Sequence, residues 1–284
     1  MKSDVLFHIS VIDAGLNLKR HLETYPDVTV TDAVRQLRAG PVFRSSLNYD
    51  AAISICEEHG MALFCSSEDR TEELRNTLFR LAVRLRPLWA KVSFLGRDRV
   101  RAVLSSDQAQ CLRYAGLLGA MDDSVRQWWD ELAAYFRAEQ SQKFLEIGRQ
   151  GEQLSFRLEV EMLKKLGIND RPIWISVEDN TAGYDIMSYR RTETGELTKL
   201  FIEVKSTTTA DCVFILTRHE WDVAAQAGSS FQFHFWYLPT PAIWIATLEE
   251  LAPHIPSDNG LGCWDKVRLN FKSRQFEPVS FGLS

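Results

Sequence analysis

Two short segments of this sequence carry acidic and basic side chains at a spacing that suits phosphodiester chemistry. The first is Gly183-Tyr184-Asp185-Ile186, and the second, beyond a polar turn, is Phe201-Ile202-Glu203-Val204-Lys205-Ser206. Alternate side chains of a β-strand point to the same face, so Glu203 and Lys205 should lie side by side. The pattern therefore predicts a carboxylate and an ammonium group together on one face of a strand.

Such a group of side chains suits metal-assisted hydrolysis. Carboxylate and carbonyl oxygens are the ligands that Mg²⁺ or Mn²⁺ accepts, so we expect Asp185, Glu203 and the Val204 carbonyl to bind the ion. Lys205 would orient or deprotonate the attacking water and offset the charge of the transition state. A Glu-x-Lys pair also occurs as an ordinary cross-strand salt bridge. The interpretation therefore depends on the elements around it.

A hairpin is expected to bring the two segments together. The polar stretch Arg190–Thr198 contains Gly195, which favours a turn. Leu200, Ile202 and Val204 alternate with the polar positions and should face the core. Folding back at the turn would place Asp185 beside Glu203.

A helix before the hairpin should supply a further carboxylate. It is expected to run from about Phe144 to Leu166, where Gly167 and Pro172 follow. Glu152 and Glu159 are seven residues apart and so share one helix face. Either carboxylate could reach the site, and Glu159 could instead belong to a structural ion pair.

Four motifs in this order resemble the PD-(D/E)XK nuclease superfamily. They are Gly148-x-x-Gly151-Glu152, Gly183-Tyr184-Asp185-Ile186, Ile202-Glu203-Val204-Lys205-Ser206-Thr207 and Phe214-x-Leu216-Thr217-x-x-Glu220. More narrowly, residues 147–238 resemble the C-terminal domain shared by plant NOV-type proteins and many bacterial defence-associated proteins. The resemblance implies a restriction-endonuclease-like α/β core and Mg²⁺-dependent phosphodiester hydrolysis, although related proteins include versions that only bind. It also favours Glu152, which stands in the Gly-x-x-Gly-Glu pattern, over Glu159 as the site carboxylate.

The remainder of the C-terminal part should complete a mixed sheet flanked by helices. Thr217-x-x-Glu220 is a capping-box pattern, so we interpret Glu220 as structural rather than catalytic. The alternating aromatic residues of Phe231–Leu238 predict a strand. From Pro239 onward we expect an irregular tail.

The N-terminal part is expected to be mostly helical. Short helices are predicted over Thr31–Arg38 and Tyr49–His59, with a short strand over Met61–Cys65. A leucine stripe from Leu74 to Leu88 predicts a longer helix. This order loosely resembles a winged helix, with a generic helical bundle as the alternative.

Two more helices are expected at the end of that part, over Leu112–Leu118 and Val125–Arg137. The aromatic residues of the second one could be mistaken for a base-stacking surface. Their helical spacing favours packing in the core instead. The residues are Trp128, Trp129 and Phe136.

Length and charge complete the domain prediction. The chain has 284 residues and a net charge of −5, and we divide it into domains at 1–140 and 141–284. Residues 70–101 are basic, with nine basic and three acidic side chains. Phosphate contacts are therefore assigned to Arg80, Arg84, Arg97 and Arg99. The alternative is a solvated face with ion pairs to acidic helices such as Asp130–Glu131.

The sequence lacks the signature motifs of several other classes of protein. The five cysteines are scattered without a Cys-x-x-Cys spacing, which argues against a zinc ribbon or a disulfide framework. Phosphate-loop, dinucleotide-binding and Gly-x-Ser-x-Gly motifs are absent from the sequence. We see no signal peptide or apolar run of membrane-spanning length, so we expect a cytoplasmic protein with no membrane partner.

These patterns lead to a first functional hypothesis and two alternatives. The first is a Mg²⁺- or Mn²⁺-dependent endonuclease that acts on DNA, in bacterial defence by family analogy, with a protein partner or activator. Cutting both strands of a duplex would favour a homodimer. The second is a catalytically inactive nuclease fold that binds nucleic acid or acts as a scaffold subunit. The third is a transcriptional or sensory module whose N-terminal part reads DNA or a phage component.

Overall fold

The chain folds into two compact units, which comprise residues 1–141 and 142–284. The computed structural model describes residues 6–179, 181–258, 262–272 and 275–279. The first unit is helical, and the second contains a mixed six-stranded sheet flanked by helices. This α+β architecture is the fold class that the sequence predicted.

Short polar side chains begin several of the helices of the first unit. Thr29, Asn48, Asp69 and Ser105 each accept a hydrogen bond from a backbone N–H group in the first turn of the helix that follows. The α-helices are α1 Ile9–Thr24, α2 Val30–Arg38, α3 Val42–Ser45, α4 Tyr49–His59, α5 Arg70–Leu85, α6 Leu88–Lys91, α7 Arg97–Val103 and α8 Ser106–Tyr114. The 3-10 helices are Met61–Leu63 and Ser93–Leu95.

The leucine stripe and the aromatic residues of the first unit lie in its core. Leu74, Leu78 and Leu81 are buried, as predicted, whereas Leu88 begins α6 and is 61% exposed. Trp128 and Trp129 are buried and pack edge to face, with their ring centroids 4.9 Å apart. The expectation that these aromatic side chains pack in the core is therefore confirmed.

The predicted strand at Met61–Cys65 is wrong, because Met61–Leu63 forms a 3-10 helix. In the part of the first unit that the structure describes, residues 6–141, there is no β-strand. The β-wing of a winged helix is therefore missing from these residues. The helices of this unit agree with the alternative prediction, a helical bundle.

One helix, α9 Asp123–Lys165, replaces the two helices predicted over Val125–Arg137 and Phe144–Leu166. The residues between those predictions, 138–143, include neither glycine nor proline. Nothing in them interrupts the backbone hydrogen bonds of a helix, so it continues through this stretch. The boundary between the two compact units, after residue 141, therefore falls within the sequence of this helix.

The second unit is built around a six-stranded sheet with strand order β1-β2-β3-β5-β6-β8. The strands are β1 Ile173–Trp174, β2 Ile186–Arg191, β3 Leu197–Thr207, β4 Val213–Thr217, β5 Phe231–Tyr237, β6 Ala242–Ala246, β7 Lys266–Asn270 and β8 Glu277–Pro278. Strands β4 and β7 form a separate antiparallel pair. The other helices are α10 Arg218–Ala227, α11 Leu248–Leu251, and the 3-10 helices Gly228–Ser230 and Ala252–His254.

Strand β3 is central and is covered on both faces. It pairs antiparallel with β2 through the predicted hairpin and parallel with β5. Leu200, Ile202 and Val204 are buried in one apolar cluster, as expected. On the opposite face Phe201 packs against a second cluster that includes Phe233 of β5. Glu203 therefore lies in a covered part of the sheet.

The irregular tail expected from Pro239 is a wrong prediction. Strand β6 extends the main sheet beside β5, and β8 pairs with β6. Strand β7 pairs with β4 over its whole length. Among the described residues, none of the helices combines the length and apolar character that crossing a bilayer requires.

Candidate active site

Asp185 lies at the start of β2, beside Glu203 of β3. The last register pair of the hairpin is Ile186 with Ile202, and the Asp185 N–H donates to the Ile202 carbonyl at 2.8 Å. The Asp185 carbonyl in turn accepts a hydrogen bond from the N–H of Ile175 at 2.7 Å. Its carboxylate Oδ2 accepts one from the Val204 N–H at 2.8 Å. The hairpin therefore brings together the two segments that the sequence singled out.

The backbone before Asp185 requires glycine. Gly183 has a φ of +76°, and a Cβ atom there would lie 2.7 Å from Cγ2 of Val223. A left-handed conformation and a close neighbour both exclude larger residues. Gly183 thus allows the chain to pass tightly over α10 and to enter β2 at Asp185.

Lys205 is held between two carboxylates. Its Nζ lies 2.7 Å from Oε1 of Glu203 and 2.9 Å from Oε2 of Glu220. The side chain of Lys205 is 17% exposed and that of Glu203 is 6% exposed. Glu203 and Lys205 therefore share one face of β3, as predicted, in a largely dehydrated position.

Glu220 has a capping role and a second contact that sequence reasoning missed. The Thr217 side chain accepts from the Glu220 N–H, and Glu220 Oε2 accepts from the Thr217 N–H at 2.9 Å. This confirms the capping box at the start of α10. The same oxygen contacts Lys205, so a structural interpretation alone is incomplete. The only signal in the sequence was the place of Thr217-x-x-Glu220 in the order of motifs.

The two helix carboxylates have different environments. Glu152 Oε2 accepts hydrogen bonds from the Trp174 indole and the Ser176 hydroxyl, and it lies 3.0 Å from Nη1 of Arg149. Its carboxylate is close enough to raise the pKa of Asp185. The structure therefore brings Glu152 to the Asp185 end of the site.

Glu159 instead forms a buried ion pair with Arg190 of β2. The two guanidinium nitrogens donate to its oxygens at 2.8 and 2.7 Å, and the Glu159 side chain has no exposed surface. This is the structural ion pair that the sequence left open for Glu159. It occupies both carboxylate oxygens.

Burial and neighbouring charge shift the pKa values of the central groups. Burial, and next the Glu152 carboxylate, raise the pKa of Asp185 to about 6. Burial also raises the pKa of Glu203 well above its ordinary value, with added contributions from Asp185 and Glu220. For Lys205, burial acts to lower the pKa, but the Glu203 and Glu220 carboxylates raise it overall. Burial is thus the main reason why the pKa values of Asp185 and Glu203 are raised, and Lys205 stays protonated.

A cleft of about 280 Å³ opens onto the carboxylates of Asp185, Glu203 and Glu220. The lining residues are Ser176, Asp179, Gly183, Tyr184, Asp185, Glu203, Thr217, His219 and Glu220. The His219 ring Nε2 lies 2.8 Å from the Thr181 carbonyl oxygen. The oxygens of Asp185, Glu203 and Glu220 are therefore accessible to a small ion or to a phosphate group.

The donor set of this cleft suits a hard divalent cation. No three His, Cys, Asp or Glu side chains among the described residues are arranged to hold a metal ion. Mg²⁺ keeps several waters and needs only one or two protein carboxylates together with substrate phosphate oxygens. Asp185 and Glu203 meet that requirement, and their raised pKa values reflect carboxylates that a cation would stabilise. The residues present therefore fit Mg²⁺ or Mn²⁺.

The four arginines assigned to phosphate contacts lie in the first unit. Arg80 donates to the Ala62 carbonyl at 2.5 Å, and Arg84 contacts His59 at 3.4 Å. Arg97 donates to the carbonyl oxygens of Leu117 and Gly119, both at 3.0 Å. Within the described residues 6–141, Arg80 and Arg84 do not form the ion pairs with Asp130–Glu131 that the sequence left open. Arg99 is exposed at the surface of α7.

Residues 151–237 match the family model described as the C-terminal domain of protein NO VEIN. This match spans just under a third of the chain and confirms the resemblance to the C-terminal domain of NOV-type proteins. It contains Glu152, Asp185, Glu203, Lys205 and Glu220. No curated protein and no solved structure gives a significant match.

Proposed function

We propose that the second unit is a Mg²⁺- or Mn²⁺-dependent nuclease domain that hydrolyses phosphodiester bonds of DNA. The observation that carries this proposal is Lys205, held between Glu203 and Glu220 and near the half-buried Asp185. The motif order that resembles the PD-(D/E)XK superfamily supports the same chemistry. A role in bacterial defence rests on the resemblance alone.

Each side chain has a separate task in this proposal. Asp185 and Glu203, with the Val204 carbonyl, would hold the cation, which when bound lowers the pKa of a coordinated water and offsets phosphate charge. Lys205 is fixed by two carboxylates and donates hydrogen bonds to the phosphate or to the attacking water. Because its pKa is raised, this role fits Lys205 better than removal of a proton from water. Glu152 would complete the acidic cluster at the Asp185 end.

The experiment that tests the proposal is a cleavage assay on circular plasmid, linear duplex and single-stranded DNA with Mg²⁺, Mn²⁺ or EDTA. Wild type is compared with Glu203→Gln, which removes one charge and keeps the side-chain shape. The matched control is Lys199→Ala, on the same strand and exposed. We expect metal-dependent cleavage that falls at least about a hundredfold in Glu203→Gln and is unchanged in the control. Full cleavage by Glu203→Gln would refute the assignment.

A catalytically inactive nuclease fold is the second candidate. It is favoured by one observation, that no group of three acidic, histidine or cysteine side chains in the described part of the chain is arranged around a metal position. Calorimetry with Mn²⁺ separates the two candidates. Heat of binding that disappears in Glu203→Gln supports the nuclease, whereas no heat with folded wild-type protein supports the inactive fold.

A further inference from the structure

A second cleft, of about 650 Å³, lies in the second unit where β3 ends, and Lys205 forms part of its wall. Lys205 also contacts Glu203 and Glu220, so this one residue links the cleft to the candidate active site. Its volume lies within the roughly 300–1,000 Å³ of sites for small molecules. We call it the β3-end cleft, and its wall includes Phe144, Gly148, Thr207–Thr209, Asp211, Ile215 and Arg268.

The two glycines of the Gly148-x-x-Gly151 motif have different surroundings. A Cβ atom at Gly151 would lie 2.5 Å from the Ser206 hydroxyl, so Gly151 is needed where α9 packs on β3. A Cβ atom at Gly148 would meet nothing within 4 Å. Glycine is unfavourable inside a helix, and packing does not require it at Gly148. Because glycine has no side chain, the β3-end cleft stays open at this point of its wall.

The wall combines apolar faces with hydrogen-bond donors. Phe144 is 62% exposed and Ile215 is 47% exposed, which leaves an aromatic ring and an aliphatic side chain facing solvent. The Thr207–Thr209 segment adds three hydroxyl groups. Arg268 is exposed, and within the described residues its guanidinium has no hydrogen bond or ion pair. The carboxylate of Asp211 lies in the same wall, so the cleft is not uniformly positive.

We propose that the β3-end cleft binds one unpaired nucleotide of the substrate strand, next to the bond that is cleaved. This inference rests on the proposed nuclease function and names the form of its substrate. The base would stack on Phe144, and the adjoining phosphate would lie at Arg268 and the threonine hydroxyls. A nucleotide in a closed base pair carries its partner strand with it and does not fit a cleft of this size. Single strands and frayed ends are therefore preferred over blunt duplex.

The test measures binding of a short fluorescein-labelled oligothymidylate to the full chain in EDTA, by fluorescence anisotropy. A blunt DNA hairpin is the duplex probe. Gly148→Leu fills the cleft, and Gly148→Ala is the matched control because its methyl group meets no neighbour. We expect Gly148→Leu and Phe144→Ala to weaken binding of the single strand at least tenfold, as loss of one stacked base does. Arg268→Gln should lower the slope of log K against log salt by about 0.7.

Two results would overturn the inference. One is equal binding by Gly148→Leu and Gly148→Ala when both melt as cooperatively as wild type. The other is wild-type protein that does not bind the oligothymidylate, or binds the hairpin more tightly.

The cleavage assay keeps the two proposals distinguishable. Metal-dependent cleavage of duplex that Gly148→Leu leaves unchanged would overturn the cleft assignment and support the nuclease. Single-strand binding lost in Gly148→Leu, without cleavage under any metal, would support the cleft as a nucleic-acid site and refute the nuclease.

Discussion

Replacing Lys205 with methionine removes a buried ammonium and keeps the length of the side chain. Its contacts with Glu203 and Glu220, at 2.7 and 2.9 Å, are each worth about 6 kcal/mol at an effective dielectric constant near 20, before desolvation is subtracted. Breaking such a pair leaves carboxylates without a partner and costs about 3–5 kcal/mol. At about 2–4 °C per kcal/mol for a domain of this size, the melting temperature should fall by roughly 10 °C.

Replacing Glu203 with glutamine should have the opposite sign. Burial raises the pKa of Glu203, so the folded protein favours the neutral carboxyl. A carboxyl whose pKa is higher in the folded state contributes stability below its unfolded pKa, and that stability is lost as pH rises through the folded pKa. Near pH 8 the neutral amide avoids this loss and can still accept a hydrogen bond from Lys205. We therefore expect Glu203→Gln to melt at or above the wild-type temperature.

Circular-dichroism melts in EDTA at pH 8 measure both effects. Lys199→Met is the control, since Lys199 is exposed on the same strand and should leave the melting temperature within about 2 °C. The double variant Glu203→Gln/Lys205→Met should recover part of the loss, because one of the two orphaned charges is gone. The reasoning is refuted if Lys205→Met melts like wild type, or if Glu203→Gln is as destabilised as Lys205→Met.

Three further predictions concern the helix-facing side of the sheet. Burial lowers the pKa of His234 to about 4, so stability should fall as pH drops from about 6.5 towards 4, by about 2 kcal/mol between pH 7.5 and 5. Urea unfolding at both pH values should show a smaller loss of unfolding free energy in His234→Gln than in wild type. The same pH dependence in both proteins would contradict this prediction. Glu159→Gln leaves Arg190 without its buried partner and should cost about 3–5 kcal/mol in the same assay. Glu152→Gln should lower the free energy of unfolding by less than Glu159→Gln does, and it should abolish cleavage. If Glu159→Gln abolished cleavage and Glu152→Gln were the more destabilising change, the roles assigned to the two glutamates would be exchanged.

Local patterns predicted the elements that hold the candidate site. The alternation of Leu200, Ile202 and Val204 with Glu203 and Lys205 required a strand with two different faces, and a single turn then placed Asp185. The period of two and the turn residues are both readable without tertiary information. For that reason the hairpin was the most reliable part of the prediction.

Elements that depend on distant partners were not predicted. Ala242–Ala246 is a short apolar run directly after Pro241, and only its pairing with β5 makes it a strand. Met61–Cys65 is equally short and apolar, yet its first three residues form a 3-10 helix. Periodicity cannot distinguish such segments, because four or five residues complete too few turns or alternations. Their conformation is set by the surface on which they pack.

Glu220 shows how a correct local interpretation can conceal a second role. The capping pattern depends on residues three apart, whereas the contact with Lys205 depends on how α10 packs beside β3. One oxygen, Oε2, accepts from the Thr217 N–H and from the Lys205 ammonium. The helix start thus fixes the carboxylate, and the carboxylate fixes the lysine. The cap is therefore part of what positions Lys205 beside Glu203. The spacing of Thr217-x-x-Glu220 is the spacing that the cap requires, and the same cap brings the Glu220 carboxylate to the Lys205 ammonium.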